Sequence, residues 1–405
     1  MSSLTITNAR ILTLAGTDVP RRGPALGELG VIERGFVRVE DTRIAAVGAG
    51  APDDADETID AGGRVLMPGF IDCHTHACWA GERFDEFEMK LAGRSYLEIL
   101  AAGGGIMSTV RAVRAASGDT LADGLRQRLS RMAALGSTTV EVKSGYGLTT
   151  ADELKMLRAI RVAADGTGQT VIPTFLGAHA IDTDNPRYVD ETINETLPAV
   201  VDEFAGIACD AYCEKGAWSL ADTVRLFERA AALGCPLRVH TDQFSSLGMT
   251  RLAIEMGAVS VDHLEATTPA DLQLLAASPT IGVALPASGF HLDDRYAPGR
   301  ALVDAGGALA LATNYNPGSA PTPSMAFVIA LACRKLGLKP AEAIAAATVN
   351  AACVLGLQGE VGSIEPGKRA DLQLMDFTDE RELGYEFATP GPRFLLCAGQ
   401  VVKRS

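Results

Sequence analysis

Six histidines carry the first chemical signal in this 405-residue chain. His74 and His76 stand two apart, directly after an apolar, β-branched run that reads as a strand. Alternate residues of a strand face the same side, so both imidazoles can reach one ion at about 2.0–2.1 Å. His179, His240 and His263 each follow a further strand-like run. Only His291 lies well beyond a strand end, and it reads as a loop residue with no direct role. The bland alternative is a set of core histidines, each satisfied by a backbone bond. Placement at strand ends alone, with none in helices, argues against it.

The elements that must position these residues are legible as patterns. Eight apolar, β-branched runs recur near 65–71, 138–142, 171–176, 208–213, 236–239, 259–261, 281–285 and 309–312. Helical stretches such as 151–164, 220–233 and 325–336 alternate with them, each with an apolar stripe. Continuous apolar strands alternating with helices predict a parallel sheet covered on both faces. Eight such units predict an α/β fold with a closed (β/α)8 TIM-like barrel, whose C-terminal strand ends converge on one mouth. The first connection, about 78–136, is long and holds more than one helix, as insertions that build an active-site face often do. Both ends of the chain differ from this middle, being short strand signals separated by turns. They predict a small β-sandwich domain made of residues 1–66 and 356–405 around a barrel of residues 67–355.

Composition excludes several classes of function. The formal charge is −14 and no Lys/Arg-rich run stands out, so nucleic acid is not an expected partner. No apolar run is long enough to span a bilayer, and the first residues alternate apolar and polar instead of forming a leader. A cytoplasmic protein without a membrane partner is expected. The net field will not steer an anionic substrate, so a local arginine must hold one. The eight cysteines form no C-x-x-C pair and read as reduced core residues. Cys73 and Cys78 flank the histidine pair, and a ligand role for either stays open. Gly103-Gly104-Gly105 lacks the Lys-Ser/Thr of a phosphate loop and reads as a tight turn near the mouth.

Pro68-Gly69-Phe70-Ile71-Asp72-Cys73-His74-Thr75-His76 resembles the opening motif of the amidohydrolase superfamily. The stretch from Val361-Gly362-Ser363 to Ala370-Asp371-Leu372 resembles the return of such chains to their β domain. Within that superfamily the resemblance narrows to the imidazolonepropionases. It is carried by Glu86-Phe87-Glu88-Met89, Gly103-Gly104-Gly105-Ile106, Lys143-Ser144-Gly145-Tyr146-Gly147-Leu148 and Gly177-Ala178-His179-Ala180. Val261-Asp262-His263-Leu264-Glu265 and Asn316-Pro317-Gly318-Ser319 complete it, so that nearly the whole chain is covered. The resemblance implies hydrolysis of 4-imidazolone-5-propanoate to N-formimidoyl-L-glutamate in histidine degradation, with one divalent metal ion, zinc or iron. It implies metal ligands at His74, His76 and His240, and substrate contacts at Arg83, Tyr96, Tyr146, His179 and His263. Asn316 and Gly318 sit where the family meets its substrate after the eighth strand.

These roles have a physical basis of their own. Arg83 and two tyrosine hydroxyls can bind a propanoate carboxylate by charge-assisted hydrogen bonds. The bland reading of Arg83 is a surface ion pair with Glu82 or Asp85. His179 and His263 can position the ring or stabilise a developing oxyanion. Lys143 ends the second strand; some amidohydrolases bridge two metals with a carboxylated lysine on the fourth, so its place does not support a two-metal site.

The sequence departs from the family at Asn314, where an aspartate is expected as metal ligand and proton shuttle. An amide oxygen can meet a metal without charge, but it cannot act as a base. Gln243 stands where some members carry a glutamate, and it too is neutral. The base then falls to a histidine, above all His263. Three accounts of Asn314 follow: an engineered, weakened variant, a natural variant with another base, or a homologue that binds without turnover. Another amidohydrolase acting on a heterocyclic base is the alternative enzyme. A homodimer is compatible with this build, though no interface is legible.

Overall fold

The computed structural model describes residues 3–16, 19–50, 56–94, 98–99, 102–387 and 389–404. Tyr96 lies outside the described residues. The chain opens with β1 (Ser3–Leu12), β2 (Val31–Glu40), β3 (Arg43–Ala49), β4 (Glu57–Asp60) and β5 (Val65–Pro68). The period of two is clear in β2, where Val37 and Val39 are buried while Glu40 is exposed.

Eight parallel strands follow: β6 (Phe70–Asp72), β7 (Ser137–Lys143), β8 (Thr170–Ala178), β9 (Ala208–Cys213), β10 (Leu237–Thr241), β11 (Ser260–His263), β12 (Ile281–Ala284) and β13 (Leu309–Leu311). They pair in chain order from β6 to β13, which is the expected barrel. Burial on both faces explains their composition, since every residue of β7 and of β10 is buried. The helices between them start at side-chain caps. Thr149, Ser219 and Ser324 each accept a backbone N–H three residues on, at the starts of helices Thr150–Ala164, Leu220–Ala232 and Met325–Lys335. The long first connection holds helices Phe84–Leu91, Ile106–Ala115 and Gly118–Ala134.

The chain then returns to the first sheet with β14 (Leu372–Leu374), β15 (Phe394–Cys397) and β16 (Gln400–Arg404). The two termini together build one eight-stranded sheet. It forks at β1, which pairs along residues 4–7 with β4 and at residues 10–11 with β5. Ile6, Ile11, Val37, Leu66, Leu372 and Phe394, from five strands of this sheet, pack into one apolar core. No helix among the described residues is long and apolar enough to cross a membrane.

The run 65–71, expected as one barrel strand, is two. Its first half, β5, pairs with β1 and β14 in the terminal sheet. Its second half, β6, pairs with β7 in the barrel. The chain crosses between sheets at Gly69, whose backbone lies against Thr138. A methyl group there would sit 2.3 Å from the Thr138 side chain.

The barrel closes at its mouth through backbone and side-chain bonds between the segments that follow β6 and β13. Asp72 accepts the N–H (3.1 Å) and the hydroxyl (2.5 Å) of Thr313. Asn314 N–H donates to the carbonyl of His74, and His76 N–H to that of Tyr315, each at 3.0 Å. These bonds set the two histidines beside Asn314.

Gly69→Ala should lower stability by roughly 1–3 kcal/mol, the usual range for overpacking. Adding Thr138→Ala should recover part of the loss. Urea unfolding of the three proteins checks this, and an unshifted midpoint in Gly69→Ala would contradict the crossing described.

Candidate active site

His74, His76 and His240 converge above the barrel, and one ring nitrogen from each lies within 4.8 Å of the other two. Two of the rings are oriented from behind by carboxylates. Asp262 is 2.6 Å from Nδ1 of His74, and Asp210 is 3.0 Å from Nδ1 of His240. An ionised carboxylate only accepts, so Nδ1 carries the proton and Nε2 keeps a lone pair. Nε2 of His74 is buried with no hydrogen-bond partner. Nε2 of His240 lies 3.2 Å from Nε2 of His76. Ring nitrogens that converge in a buried site, with lone pairs set inward on His74 and His240, fit a cation, and a set of neutral imidazoles suits a divalent transition metal.

Asn314 completes this side of the site. Its Nδ2 donates to Ser288 Oγ at 2.7 Å. Its Oδ1 is buried and unpartnered. Its backbone is left-handed at φ 54°, a conformation that asparagine tolerates better than most residues.

The carboxylates behind the histidines belong to a fully buried charge layer. Lys143 pairs with Glu141 (2.5 Å) and Asp210 (2.8 Å). Arg238 pairs with Glu141 (3.2 Å) and Asp262 (2.8 Å). Burial alone would raise the Asp210 carboxyl, but His240, Lys143 and Arg238 hold it well below the usual range. Burial first, then the charge of Lys143 and neighbouring rings, holds His74 well below the usual imidazole range. Burial first, then the rings of His179 and His240, does the same to His76. His240 is held at about 4, chiefly by burial. The rings are therefore neutral near pH 7, which is the form that binds metal.

The remaining expected residues surround this centre, with exceptions. His179 stacks on His76 with ring centroids 4.7 Å apart, and Tyr146 lies 5.1 Å from His179. Nδ1–H of His179 donates to the Gly145 carbonyl at 3.0 Å, leaving the Nε2 lone pair free. Burial holds this ring at about 4 as well. The His263 ring is 5.6 Å from that of His240 and 6.1 Å from that of His74. It stands at φ 90°, followed by Leu264 at φ 78°, conformations that persist only where surroundings enforce them. Asp242, which accepts from the hydroxyls of Thr250 (2.8 Å) and Thr267 (2.9 Å), ties the flanking loops together there. Gln243 Oε1 accepts from the hydroxyl of Tyr212 at 2.8 Å.

Arg83 pairs with Glu86, one helical turn on, rather than with Glu82 or Asp85. With Gly318 it lines a cavity of about 620 Å³ that the metal-facing histidines do not line. Asn316 uses its side chain on its own loop. It donates to the Asn314 carbonyl (2.6 Å) and Ser319 Oγ (2.8 Å), and accepts from the N–H groups of Gly318 (2.8 Å) and Ser319 (2.7 Å). His291 sits in helix Pro286–Leu292 rather than in a loop, lines the same cavity and stacks on Phe87 at 5.7 Å. Lys143 pairs with two carboxylates, Glu141 and Asp210. Cys73 and Cys78 are buried, and burial raises both thiols, Cys78 to about 12, which disfavours the thiolate.

Sequence reasoning passed over Glu141, Asp210, Arg238, Asp262, Tyr212 and Ser288. A signal for the charge layer was present. Glu141 and Lys143, Arg238 and His240, Ser260 and Asp262 stand two apart in otherwise apolar strands, and so share a face.

The chain matches the model of the amidohydrolase family over residues 65–403. It is 48% identical to the imidazolonepropionase of Herpetosiphon aurantiacus over 416 residues, covering 99% of this chain and 97% of that protein. It is 46% identical to the imidazolonepropionase of Symbiobacterium thermophilum over 382 residues, 90% of this chain and 88% of that one. Among solved structures, an adenosine deaminase from Xanthomonas campestris with bound zinc superposes with a TM-score of 0.72 at 20% identity. That superposition covers 100% of this chain and 93% of the deaminase, and it speaks to the fold.

If Asp262 holds the His74 ring for an ion, Asp262→Asn should weaken metal retention about 10–100-fold, the usual effect of losing such an orienting group. Competition with a chelator measures this; unchanged retention would contradict the assigned orientation.

Proposed function

The chain belongs to the imidazolonepropionase family of the amidohydrolases, and from that premise we propose how its own residues divide the work. The reaction adds water across the ring amide of 4-imidazolone-5-propanoate. The oxygen of water bonds to the carbonyl carbon, the ring C–N bond breaks, and the leaving nitrogen takes a proton, giving N-formimidoyl-L-glutamate. The observation that carries the reading is a three-histidine centre beside a cavity with an arginine on its wall: a hydrolytic centre next to a carboxylate grip.

One divalent ion, zinc or iron, held by His74, His76, His240 and Oδ1 of Asn314, would acidify a water and polarise the ring carbonyl. The zinc in the structurally similar deaminase supports such a centre. Arg83 binds the propanoate. Its Nε and Nη2 face Glu86 and its Nη1 reaches Thr109 at 3.3 Å, which leaves one N–H free on each terminal nitrogen for a two-point grip. Gly318 leaves room for that carboxylate, since a methyl group there would stand 3.2 Å from Nη1 of Arg83. Tyr96 and Tyr146 add hydroxyls to the same grip. His179 presents its Nε2 lone pair to the ring, and Asn316 shapes the loop that carries Gly318.

Proton transfer falls to His263. Asn314 and Gln243 are neutral amides and cannot take a proton from water. The His263 Nδ1 lies 3.3 Å from Glu265 Oε1, so its proton is held there and Nε2 is the basic end. Gln243, held by Tyr212, remains a hydrogen-bonding group for ring or water. A cytoplasmic location fits a chain whose described cysteines form no disulfide.

Two outcomes test this division. Arg83→Ala should raise KM by tenfold or more, about the worth of a charge-assisted hydrogen bond, with metal content unchanged. Asn314→Asp should raise kcat toward the ~10²–10⁴-fold that a general base contributes. Unchanged kinetics in Arg83→Ala would count against the propanoate grip. No gain in Asn314→Asp would mean that position 314 does not limit turnover.

A further inference from the structure

One loop of the mouth is gripped from both sides by charges that the hydrolytic chemistry does not use. Residues 145–148 follow β7 and carry Tyr146. Glu153, buried in helix Thr150–Ala164, accepts the N–H groups of Gly145 (3.0 Å), Gly147 (2.8 Å) and Leu148 (2.9 Å). Arg114, in helix Ile106–Ala115, donates to the carbonyls of Gly147 (2.8 Å) and Leu148 (3.2 Å). The same guanidinium pairs with Asp182 (2.7 Å), three residues after His179. Neither grip has an alternative polarity, because a carboxylate only accepts and a guanidinium only donates.

The backbone held in this way would not hold itself. Gly145 stands at φ 104° and Leu148 at φ 54°, a left-handed conformation that leucine rarely adopts. Fixing Gly145 fixes its carbonyl, which takes the Nδ1 proton of His179 and so sends the lone pair to Nε2. The packing there is tight: a methyl group on Gly145 would lie 2.7 Å from the Leu176 carbonyl and 3.1 Å from the His179 side chain. Tyr146 and His179 face each other at 5.1 Å between ring centroids.

We infer that Glu153 and Arg114 are positioning residues for recognition of the substrate, setting from behind the Tyr146 hydroxyl for its carboxylate and the Nε2 lone pair of His179 for its ring. Two of the three ligand rings are oriented separately, His74 by Asp262 and His240 by Asp210. The inference rests on the reading that Tyr146 and His179 meet the substrate.

The test uses zinc-loaded Glu153→Gln and Arg114→Met. Glutamine offers one oxygen for three N–H groups and turns its own NH2 toward a backbone donor. Arg114 is partly exposed, so its variant remains informative if Glu153→Gln fails to fold. In each, KM should rise about tenfold, roughly the worth of one misplaced hydrogen bond, while zinc per chain stays at the wild-type value. The ¹⁵N spectrum of histidine-labelled protein supplies an independent reading, with the His179 signal assigned by its loss in His179→Gln. Wild type should show His179 protonated at Nδ1 alone; both variants should show a mixture of tautomers. A retained Nδ1–H tautomer in both variants would overturn the positioning role. A mixed tautomer with unchanged KM would instead remove His179 from the substrate, and the underlying reading with it.

Discussion

Two buried carboxylates, Asp210 and Asp262, each hold a histidine ring from behind by its Nδ1 proton. Much else in the molecule serves to keep those carboxylates charged where water cannot reach them. An unpaired buried charge is expensive, and removing one partner of a buried pair usually costs about 3–5 kcal/mol. Lys143 and Arg238 therefore lie beneath, and Glu141 joins them to each other. The interior of such a barrel is ordinarily packed with apolar branched side chains. Here one layer of it is ionic, directly under the site. Three carboxylates against two cations leave that layer formally negative, and a cation among the neutral histidines above would offset it. The charge layer thus orients two of the three ligands, His74 and His240, and favours what they would bind.

A second constraint fixes where the ligands stand along the chain. β6 has only three residues, and the described strands of the barrel form no ladder between β6 and β13. Closure passes instead to Asp72, Thr313 and the backbone of His74, His76, Asn314 and Tyr315. Three of the residues that close the barrel, His74, His76 and Asn314, also belong to the centre. Asn314 is consequently fixed in position even though its side chain is neutral, which is why the site keeps its shape without an anionic fourth group.

The barrel was legible because strands buried on both faces must be continuously apolar, and that pattern survives in one dimension. The histidine trio was legible for a related reason, since strand ends share one mouth. Other features were not. Nothing in the run 65–71 marks the change of sheet, because both halves are apolar and buried; only the approach of Thr138 to Gly69 shows it. β4 was missed because Glu57–Asp60 contains one apolar residue, Ile59, and is a strand only through its pairing with β1. The charge layer was hidden because polar residues inside an apolar strand look like interruptions until their partners, up to 188 positions away in the case of His74 and Asp262, are brought beside them. Arg83 and Asn316 show the limit for single residues. Helical spacing gives Arg83 to Glu86, and a tight loop turns the Asn316 side chain inward. Neither contact can be read from residue type.

On the proposed reading, His74, His76 and His240 present three imidazole nitrogens to a single ion. X-ray absorption spectroscopy of the metal-loaded protein, with elemental analysis of the same sample, tests it most directly. The expected result is one zinc or iron per chain, three imidazole nitrogens at about 2.0–2.1 Å in the zinc form, no sulfur ligand and no second metal nearby. A sulfur neighbour from Cys73 or Cys78, a metal–metal distance, or fewer than three imidazoles would contradict it.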